Sequence, residues 1–349
     1  METFLVDKIV IINLVFVASL VIAMYSTLAE RKVSAFLQDR IGPNRAGVFG
    51  ILQPLADGVK FFFKEEFIPA KSDKTLFILG PSISMLTALM TSAVIPWGTY
   101  LEIAGRAVYL QVTDINIGLL YVFAVVSIGV YGIMIGGWAS NNKFSLLGAL
   151  RASSQMISYE IAMGLSIIAL VMTSGSLSLG TIVGQQTNEI FGISGASWNI
   201  IYQPLGFLIF FICALAECNR TPFDLPECEA ELVGGYHTEY SSMKLGLYLF
   251  AEYINMFISS AIMSALYFGG YNFPFMNELV EMGLGHNVVA LMGVGVFFLK
   301  IFFFIFLFMW VRWTLPRFRY DQLMNLGWKI LIPLALFNIL ITGIFILLF

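Results

Sequence analysis

Charged side chains are scarce in this chain: they make up 12% of its 349 residues, whereas 58% of the residues are hydrophobic. Soluble domains carry about 25% charged residues, so this scarcity excludes an ordinary soluble fold. Apolar runs of about 20 residues, the length that a membrane-spanning helix needs, are abundant instead. They predict an all-α polytopic membrane protein, a single membrane domain over residues 1–349 with a bundle of about eight transmembrane helices. The predicted spans cover residues 9–29, 76–96, 115–138, 156–173, 200–217, 243–268, 288–311 and 330–349.

Cysteine and histidine are also rare. The chain has Cys213, Cys218 and Cys228, with His237 and His286, and their spacing matches no metal site. A disulfide is not expected on the reducing side of a membrane, so small apolar fillers are the simplest role for the cysteines. The sequence contains no phosphate-binding loop, dinucleotide fingerprint, haem motif or iron–sulfur ligand set. We therefore predict no metal site, no cofactor bound by this chain alone and no residue that is catalytic in the redox sense.

Lysine and arginine concentrate in the connections after the first, third, fifth and seventh predicted spans. The first connection carries the largest group: Arg31, Lys32, Arg40, Arg45, Lys60, Lys64, Lys71 and Lys74. The positive-inside rule places these connections in the cytoplasm, so both termini are predicted on the non-cytoplasmic side. Glu2 and Asp7 flank the first apolar run and no small-residue cleavage site is clear. We therefore interpret that run as a true span and not as a signal peptide.

The first cytoplasmic connection, residues 30–75, contains a predicted amphipathic helix over residues 51–66. Pro54 suits the first turn of a helix. The apolar face carries Leu52, Leu55, Val59, Phe62 and Phe63. The polar face carries Gln53, Asp57, Lys60 and Lys64. A helix this short and charged is expected to lie in the membrane interface, either as a plain anchor or as the roof of a lipid-facing opening for an apolar substrate.

An acidic cytoplasmic loop is predicted over residues 216–244. Its carboxylates are Glu217, Asp224, Glu227, Glu229, Glu231 and Glu239. Acids at membrane depth are costly, so such a density indicates a use, and proton handling is the use that fits. Glu229 is expected to meet Arg220 or Lys244, and Glu239 has the weakest functional case.

Within that loop, residues 224–235 have the pattern of a short helix. Asp224, Pro226 and Glu227 match an N-cap, a first-turn proline and a capping-box acid. Glu227 and Glu231 would then share one helix face, where two ionised acids repel each other. The pair is therefore expected to share or displace a proton.

Four ionisable side chains fall within or at the end of predicted spans: Glu160, Glu217, Glu252 and Lys300. Each costs about 2.5–3.5 kcal/mol at a helix centre on insertion scales, so it must face the bundle interior, pair or stay neutral. Lys300 is expected to form a structural bridge with a carboxylate, with a functional role left open. Carboxylates within hopping distance of one another, joined by water, are expected to form a proton path.

Several long motifs resemble those of one family, that of the H subunit of bacterial NADH-quinone oxidoreductase, the respiratory complex I. They lie at residues 30–32, 38–45, 52–60, 158–160, 216–240, 251–253 and 310–324. The resemblance extends over nearly the whole chain. It implies the membrane subunit of a proton-translocating enzyme in the bacterial inner membrane, which takes quinone as substrate and couples its reduction to proton pumping.

The resemblance also implies partners. Peripheral-arm subunits would carry FMN and the iron–sulfur clusters and share a quinone chamber with this chain. Small membrane subunits and antiporter-like subunits would lie beside it in the lipid bilayer, and no nucleic acid is expected.

Carried over to matching positions, the resemblance implies three groups of site residues. The quinone entrance and tunnel would contain Arg40, Arg45, Asp57, Lys60 and Phe63. The proton path would contain Glu160, Glu217, Glu227, Glu229, Glu231 and Glu252. The last cytoplasmic loop, residues 311–329, would contribute Arg317, Arg319 and Asp321 to the interface with the peripheral arm.

Two other functions remain open from the sequence. One is the membrane subunit of a related proton-motive hydrogenase, which the neighbouring peripheral subunits would decide. The other is an autonomous secondary transporter or proton channel. The transporter hypothesis explains the intramembrane acids, but it does not explain the large basic connections, and the chain shows no clear inverted repeat.

Overall fold

A computed structural model describes residues 2–103, 105–188, 195–225 and 232–348. The helices are α1 (Glu2–Leu37), α2 (Gln53–Phe63), α3 (Lys74–Thr91), α4 (Gly118–Ala139), α5 (Lys143–Ser174), α6 (Leu179–Gln185), α7 (Asn199–Tyr202), α8 (Pro204–Glu217), α9 (Ser242–Tyr267), α10 (Met276–Glu281), α11 (His286–Thr314), α12 (Tyr320–Asn325) and α13 (Ile332–Leu348). Within these residues, seven helical segments are long and apolar enough to cross a membrane, and α8 is a shorter apolar helix. The prediction of an all-α polytopic membrane protein is confirmed.

Two helices extend beyond the predicted spans because polar side chains within or beside them find partners. α1 continues past the predicted end at residue 29, since Glu30 is paired with Arg220 and Arg312 instead of facing water. α5 begins at Lys143, well before the predicted residue 156. Its start is fixed by Asn142, whose side chain accepts a hydrogen bond from the backbone of the helix.

The last span also starts earlier than predicted, at residue 320 instead of 330. α12 and α13 form one continuous helix through a π-helical turn at Leu326–Leu331. The hydroxyl of Tyr159 on α5 donates a hydrogen bond to the carbonyl of Leu323, 2.9 Å away. A neighbouring helix thus satisfies a backbone acceptor beside the turn, which stabilises the local departure from α-helical geometry.

The amphipathic helix is present but shorter than predicted. α2 covers Gln53–Phe63 with Pro54 in its first turn, and Lys64 has extended backbone angles that end it. Its apolar side chains Leu55 and Phe62 are exposed in the isolated chain. An exposed apolar face of this kind is typical of a surface that lipid, a ligand or another subunit covers.

A β-hairpin was not predicted from the sequence. Strand β1 (Tyr100–Ile103) pairs antiparallel with strand β2 (Arg106–Tyr109) in the connection between α3 and α4. The side chain of Asn287, at the start of α11, accepts from the amide of Glu102 at 2.7 Å and donates to its carbonyl at 2.8 Å. The hairpin is thereby attached to this end of the bundle.

α9 is the most buried of the spanning helices and packs against α1, α3, α8 and α11. Close approach of α3 and α4 depends on glycine. A methyl group added to Gly80 would lie 2.9 Å from the Cα of Gly136. Small residues of this kind let membrane helices pack backbone to backbone.

The connections meet at opposite ends of the bundle. Ion pairs join the ends of α1 and α11 to the loop after α8, through Glu30, Arg312 and Arg220. At the other end, the Lys8 ammonium near the start of α1 donates to the carbonyl of Gln111, which follows the hairpin. Alternation of this kind is what a multi-pass bundle with short connections requires.

Cys213 and Cys218 are buried and carry free thiols, whereas Cys228 lies outside the described residues. Burial raises the pKa of the Cys218 thiol, and the nearby Glu217 carboxylate raises it further. An apolar, unreactive filler has these properties.

Candidate functional site

An internal cavity lies between α3, α4, α5, α8 and α9, and about 70 Å³ of it is open to the centre of a water molecule. One water needs roughly 10–15 Å³ on this measure, so several waters fit. The wall is mostly apolar, but three of the predicted proton-path acids line it: Glu160, Glu217 and Glu252. The fold therefore brings together carboxylates from α5, α8 and α9 that are far apart in the sequence.

Each of these acids has different surroundings. Glu160 accepts a hydrogen bond from the hydroxyl of Ser127 on α4. Glu252 accepts one from the phenol of Tyr236, with 3.2 Å between the two oxygens. Glu217 is buried, and its Oε2 has no hydrogen-bond partner among the residues that the structure describes. A buried carboxylate oxygen of this kind requires a water or a proton, and the cavity beside it has room for water.

Three further acids of the predicted path, Glu227, Glu229 and Glu231, lie outside the described residues, as does most of the predicted short helix. The bases that Glu229 was expected to meet have partners in the described part of the chain. Arg220 pairs with Glu30, and Lys244 pairs with Glu66. The acidic loop is therefore connected to the basic first connection by ion pairs.

Glu239 contributes to packing between loops. Asn142, at the start of α5, donates a hydrogen bond to the Glu239 carboxylate at 2.6 Å. Glu239 does not line the cavity that contains Glu160 and Glu217. That Glu239 has no functional role stays a prediction.

A buried charge cluster around Glu30 was missed in the sequence. The Glu30 carboxylate accepts from Arg220 at 3.0 Å and from the Tyr253 hydroxyl at 2.8 Å, and it also pairs with Arg312. The guanidinium of Arg220 lies over the ring of Tyr253, 4.1 Å from its centre. The sequence did contain a signal for it. The acid Glu30 follows the first apolar run, and the bases Arg220 and Arg312 follow the fifth and the seventh.

Arg220 places a permanent positive charge in this cluster. Burial by itself lowers the pKa of Arg220, but Tyr253, Glu30 and Glu252 outweigh burial, so its pKa lies well above the ordinary value. The same guanidinium therefore interacts with Glu30 in the cluster and with Glu252 at the cavity. A charge that both groups share is a physical connection between them.

An apolar groove lies beneath α2, where α1, α3 and α9 meet it. About 390 Å³ of the groove is open to the centre of a water molecule, and its lining is almost wholly apolar. The lining includes Leu20, Met24, Leu55, Phe62, Met243 and Phe250. A groove of this chemistry suits a hydrocarbon chain.

None of the predicted entrance residues lines this groove. Arg40 and Arg45 are exposed in the turn before α2. Asp57 pairs with Arg31 at 2.6 Å. Lys60 and Phe63 are exposed on α2. The sequence predicted the helix α2. It could not predict the groove, because the other walls of the groove come from α1, α3 and α9.

The last connection contributes one buried contact and one exposed pair. Arg317 pairs with the buried Asp224 at 2.9 Å, which ties this connection to the acidic loop. Arg319 and Asp321 are both exposed and lie 4.0 Å apart. Arg319 and Asp321 thus remain accessible to a partner.

The prediction that Lys300 pairs with a carboxylate is wrong among the residues that the structure describes. The ammonium donates to the backbone carbonyls of Phe268, Gly270 and Asn272 at 2.6, 2.8 and 2.6 Å, and it lies 4.9 Å from the ring centre of Trp198. These carbonyls follow the end of α9 and have no intrahelical donor. A cation at a helix C-terminus satisfies them and complements the helix dipole.

Comparisons with known proteins support the resemblance. The family model described as NADH dehydrogenase matches residues 9–343. The NADH-quinone oxidoreductase H 1 subunit of Cytophaga hutchinsonii is 75% identical over 346 residues, covering 99% of this chain and 98% of that protein. The H subunit of Flavobacterium johnsoniae is 65% identical over 342 residues, covering 98% and 95%. The H 1 subunit of Geobacter sulfurreducens is 49% identical over 341 residues, covering 95% and 92%.

These matches extend along almost the whole chain, including the residues that line the cavity and the groove. They favour the complex I interpretation over a hydrogenase subunit or an autonomous transporter. The chain is an integral membrane protein and belongs to the H-subunit family of NADH-quinone oxidoreductase, as a subunit of that enzyme.

Proposed function

We propose that this chain forms the membrane-side part of the quinone chamber and begins the proton path that quinone reduction drives. It would lie in the bacterial inner membrane with both termini on the non-cytoplasmic side. Peripheral-arm subunits would supply FMN and the iron–sulfur clusters and close the chamber. Small membrane subunits and antiporter-like subunits would continue the path.

The cavity with Glu160, Glu217 and Glu252 carries this proposal. Three carboxylates from three helices share one wall that has room for water, which is the arrangement that proton transfer through a membrane needs. Arg220 interacts with Glu252 and also with the Glu30 cluster. A change of charge near Glu30 would therefore alter the proton affinity of the cavity acids.

The apolar groove under α2 supports entry of quinone from the bilayer. Its lining matches an isoprenoid tail, and Leu55 and Phe62 of α2 form one of its walls. Arg40, Arg45, Asp57, Lys60 and Phe63 would surround the path of the headgroup. Arg317, Arg319 and Asp321 would contact the peripheral arm, since Arg319 and Asp321 of this connection are exposed.

The proton-path proposal is tested with Glu217→Gln in the assembled complex in proteoliposomes. NADH–ferricyanide activity reports on the peripheral arm, whereas NADH–quinone activity and protons moved per NADH report on coupling. We expect unchanged ferricyanide activity and at least a tenfold loss of coupled turnover, since a positioned proton-transfer group contributes about 10²–10⁴-fold to a rate.

Glu239→Gln is the matched control, because Glu239 belongs to the same loop and lies outside the cavity. It should stay within about twofold of the wild type, because a glutamine oxygen can still accept the part-buried hydrogen bond from Asn142. A wild-type proton yield in Glu217→Gln would refute the path through this cavity. Glu227→Gln and Glu231→Gln test the part of the path that lies outside the described residues, and we expect impaired coupling with normal assembly.

A further inference from the structure

Tyr236 is a cavity residue that lies within the motif at 216–240 but received no role from the sequence. Its side chain is 1% exposed, and its phenol donates to Glu252 Oε1 at 3.2 Å. Both side chains line the cavity that also holds Glu160 and Glu217. Tyr236 thus makes a direct hydrogen bond from a loop residue to an acid of the proposed path.

The hydrogen bond between Tyr236 and Glu252 connects two parts of the chain. Tyr236 lies on the 3₁₀ turn Gly235–His237, immediately after the part of the loop that carries Glu227, Glu229 and Glu231. Glu252 lies on α9, so the bond joins the acidic loop to the centre of the bundle.

The turn is held rigidly against α5. The Ser145 hydroxyl donates to the carbonyl of Tyr236 at 2.7 Å. A methyl group on Gly148 would lie 2.7 Å from the amide nitrogen of Tyr236, so glycine is needed there for α5 to contact the turn. The rings of Tyr236 and Tyr248 meet edge to face, with centres 5.0 Å apart. Because these contacts hold both the backbone and the ring of Tyr236, its hydroxyl is oriented toward Glu252.

We propose that Tyr236 is the positioning residue for Glu252: it holds that carboxylate at the cavity and stabilises its ionised form. This inference rests on the proposed proton path. A phenol donor stabilises the ionised carboxylate over the protonated one, and hydrogen bonds to ionised groups are about twice as strong as neutral ones. Loss of the hydroxyl would remove this preference, so Glu252 would hold its proton more tightly.

The test uses Tyr236→Phe in the assembled complex, which removes the hydroxyl and keeps the ring. We expect normal assembly, unchanged NADH–ferricyanide activity and about a tenfold loss of proton-coupled quinone reduction, the size that follows from losing one charge-assisted hydrogen bond. The pH profile of coupled turnover should move by about one unit, because a tenfold change in affinity corresponds to one unit.

Tyr240→Phe is the matched control. Tyr240 follows the same turn and is buried, but its hydroxyl lies 3.1 and 3.3 Å from two backbone carbonyls, and it does not line the cavity. It should leave the pH profile in place. A Tyr236→Phe enzyme with the wild-type profile and proton yield would overturn the inference.

Glu252→Gln separates this inference from the function on which it rests. If Glu252→Gln keeps full coupling, the proposed path through this cavity is wrong. If Glu252→Gln loses coupling and Tyr236→Phe does not, only the role of Tyr236 is wrong. When Tyr236 acts through Glu252, the double variant is no worse than Glu252→Gln alone, whereas independent effects would add.

Discussion

Arg220 and Glu30 form a buried ion pair, with the guanidinium Nη1 3.0 Å from the carboxylate Oε2, and this pair joins the loop after α8 to the last turns of α1. Arg312 and Tyr253 complete the coordination of the same carboxylate. Because both side chains are buried, the charge that remains after the loss of its partner cannot be solvated by water. The cluster is therefore a structural connection as well as a source of charge beside the cavity.

Glu30→Ala should destabilise the chain strongly, because it leaves Arg220 and Arg312 without their shared carboxylate. Removing one partner of a buried pair costs about 3–5 kcal/mol. The midpoint of thermal unfolding of the detergent-solubilised complex measures this. Arg31→Ala breaks the more exposed pair with Asp57 and should cost less than about 1 kcal/mol. Equal midpoints for the two variants would contradict the prediction.

Lys300→Met should lower stability without lowering the proton yield of the enzyme that assembles. The substitution leaves the carbonyls of Phe268, Gly270 and Asn272 without their donor. Loss of charged hydrogen bonds at a half-buried site costs about 3 kcal/mol. Thermal unfolding and protons per NADH are the two measurements, and Lys143→Met at an exposed position is the control. Normal stability with reduced pumping would instead indicate a functional lysine.

Gly246→Leu should obstruct the groove beneath α2. A methyl group at Gly246 would lie 3.7 Å from Cγ of Phe61, an ordinary contact, so the helix tolerates the change while the groove loses space. We expect the KM for long-tailed quinone to rise about tenfold, since a filled pocket forfeits apolar contacts with the tail. The KM for a short-tailed analogue should change little.

Gly295→Leu is the control for the groove, since Gly295 faces open space on α11. The same substitution there should leave both KM values unaltered. Equal effects of the two variants on long-tailed quinone would show that the groove under α2 is not the route.

Tyr240→Phe should reduce the loss of stability at alkaline pH. Burial raises the pKa of Tyr240 to about 12, above its ordinary value of 10.0. The folded state therefore binds the phenolic proton more tightly than the unfolded state. That stabilisation is complete below about pH 10 and is lost as the pH rises toward 12.

Thermal unfolding at about pH 9 and about pH 11 brackets the ordinary tyrosine pKa and measures this loss. The midpoint should fall less between the two values in Tyr240→Phe than in the wild type. An equal fall in both proteins would show that Tyr240 does not titrate on unfolding.

The approximate positions of the long spans were predictable because hydrophobic length is a local property, whereas the fifth predicted span, 200–217, corresponds to the shorter helix α8. Boundaries failed where a charged or polar side chain found a partner on another helix, as Glu30 does, or capped its own helix, as Asn142 does. The first span was predicted to end before Glu30 because the partners of that carboxylate, Arg220 and Arg312, lie far away in the sequence. The hairpin at 100–109 was missed because a pair of short strands has little local signal.

The candidate acids were identifiable one at a time, since an ionisable residue in an apolar run is costly wherever it lies. Sequence alone therefore determined the membrane class, the approximate spans and the presence of Glu160, Glu217 and Glu252 within or at the end of them. Only the tertiary structure decided that these three share a cavity, that Tyr236 reaches Glu252, and that Lys300 binds carbonyls instead of a carboxylate. The physical reason is that helix packing determines the partner of a buried charge. Packing brings together residues that are far apart in the sequence, and their spacing in the sequence does not predict the contact.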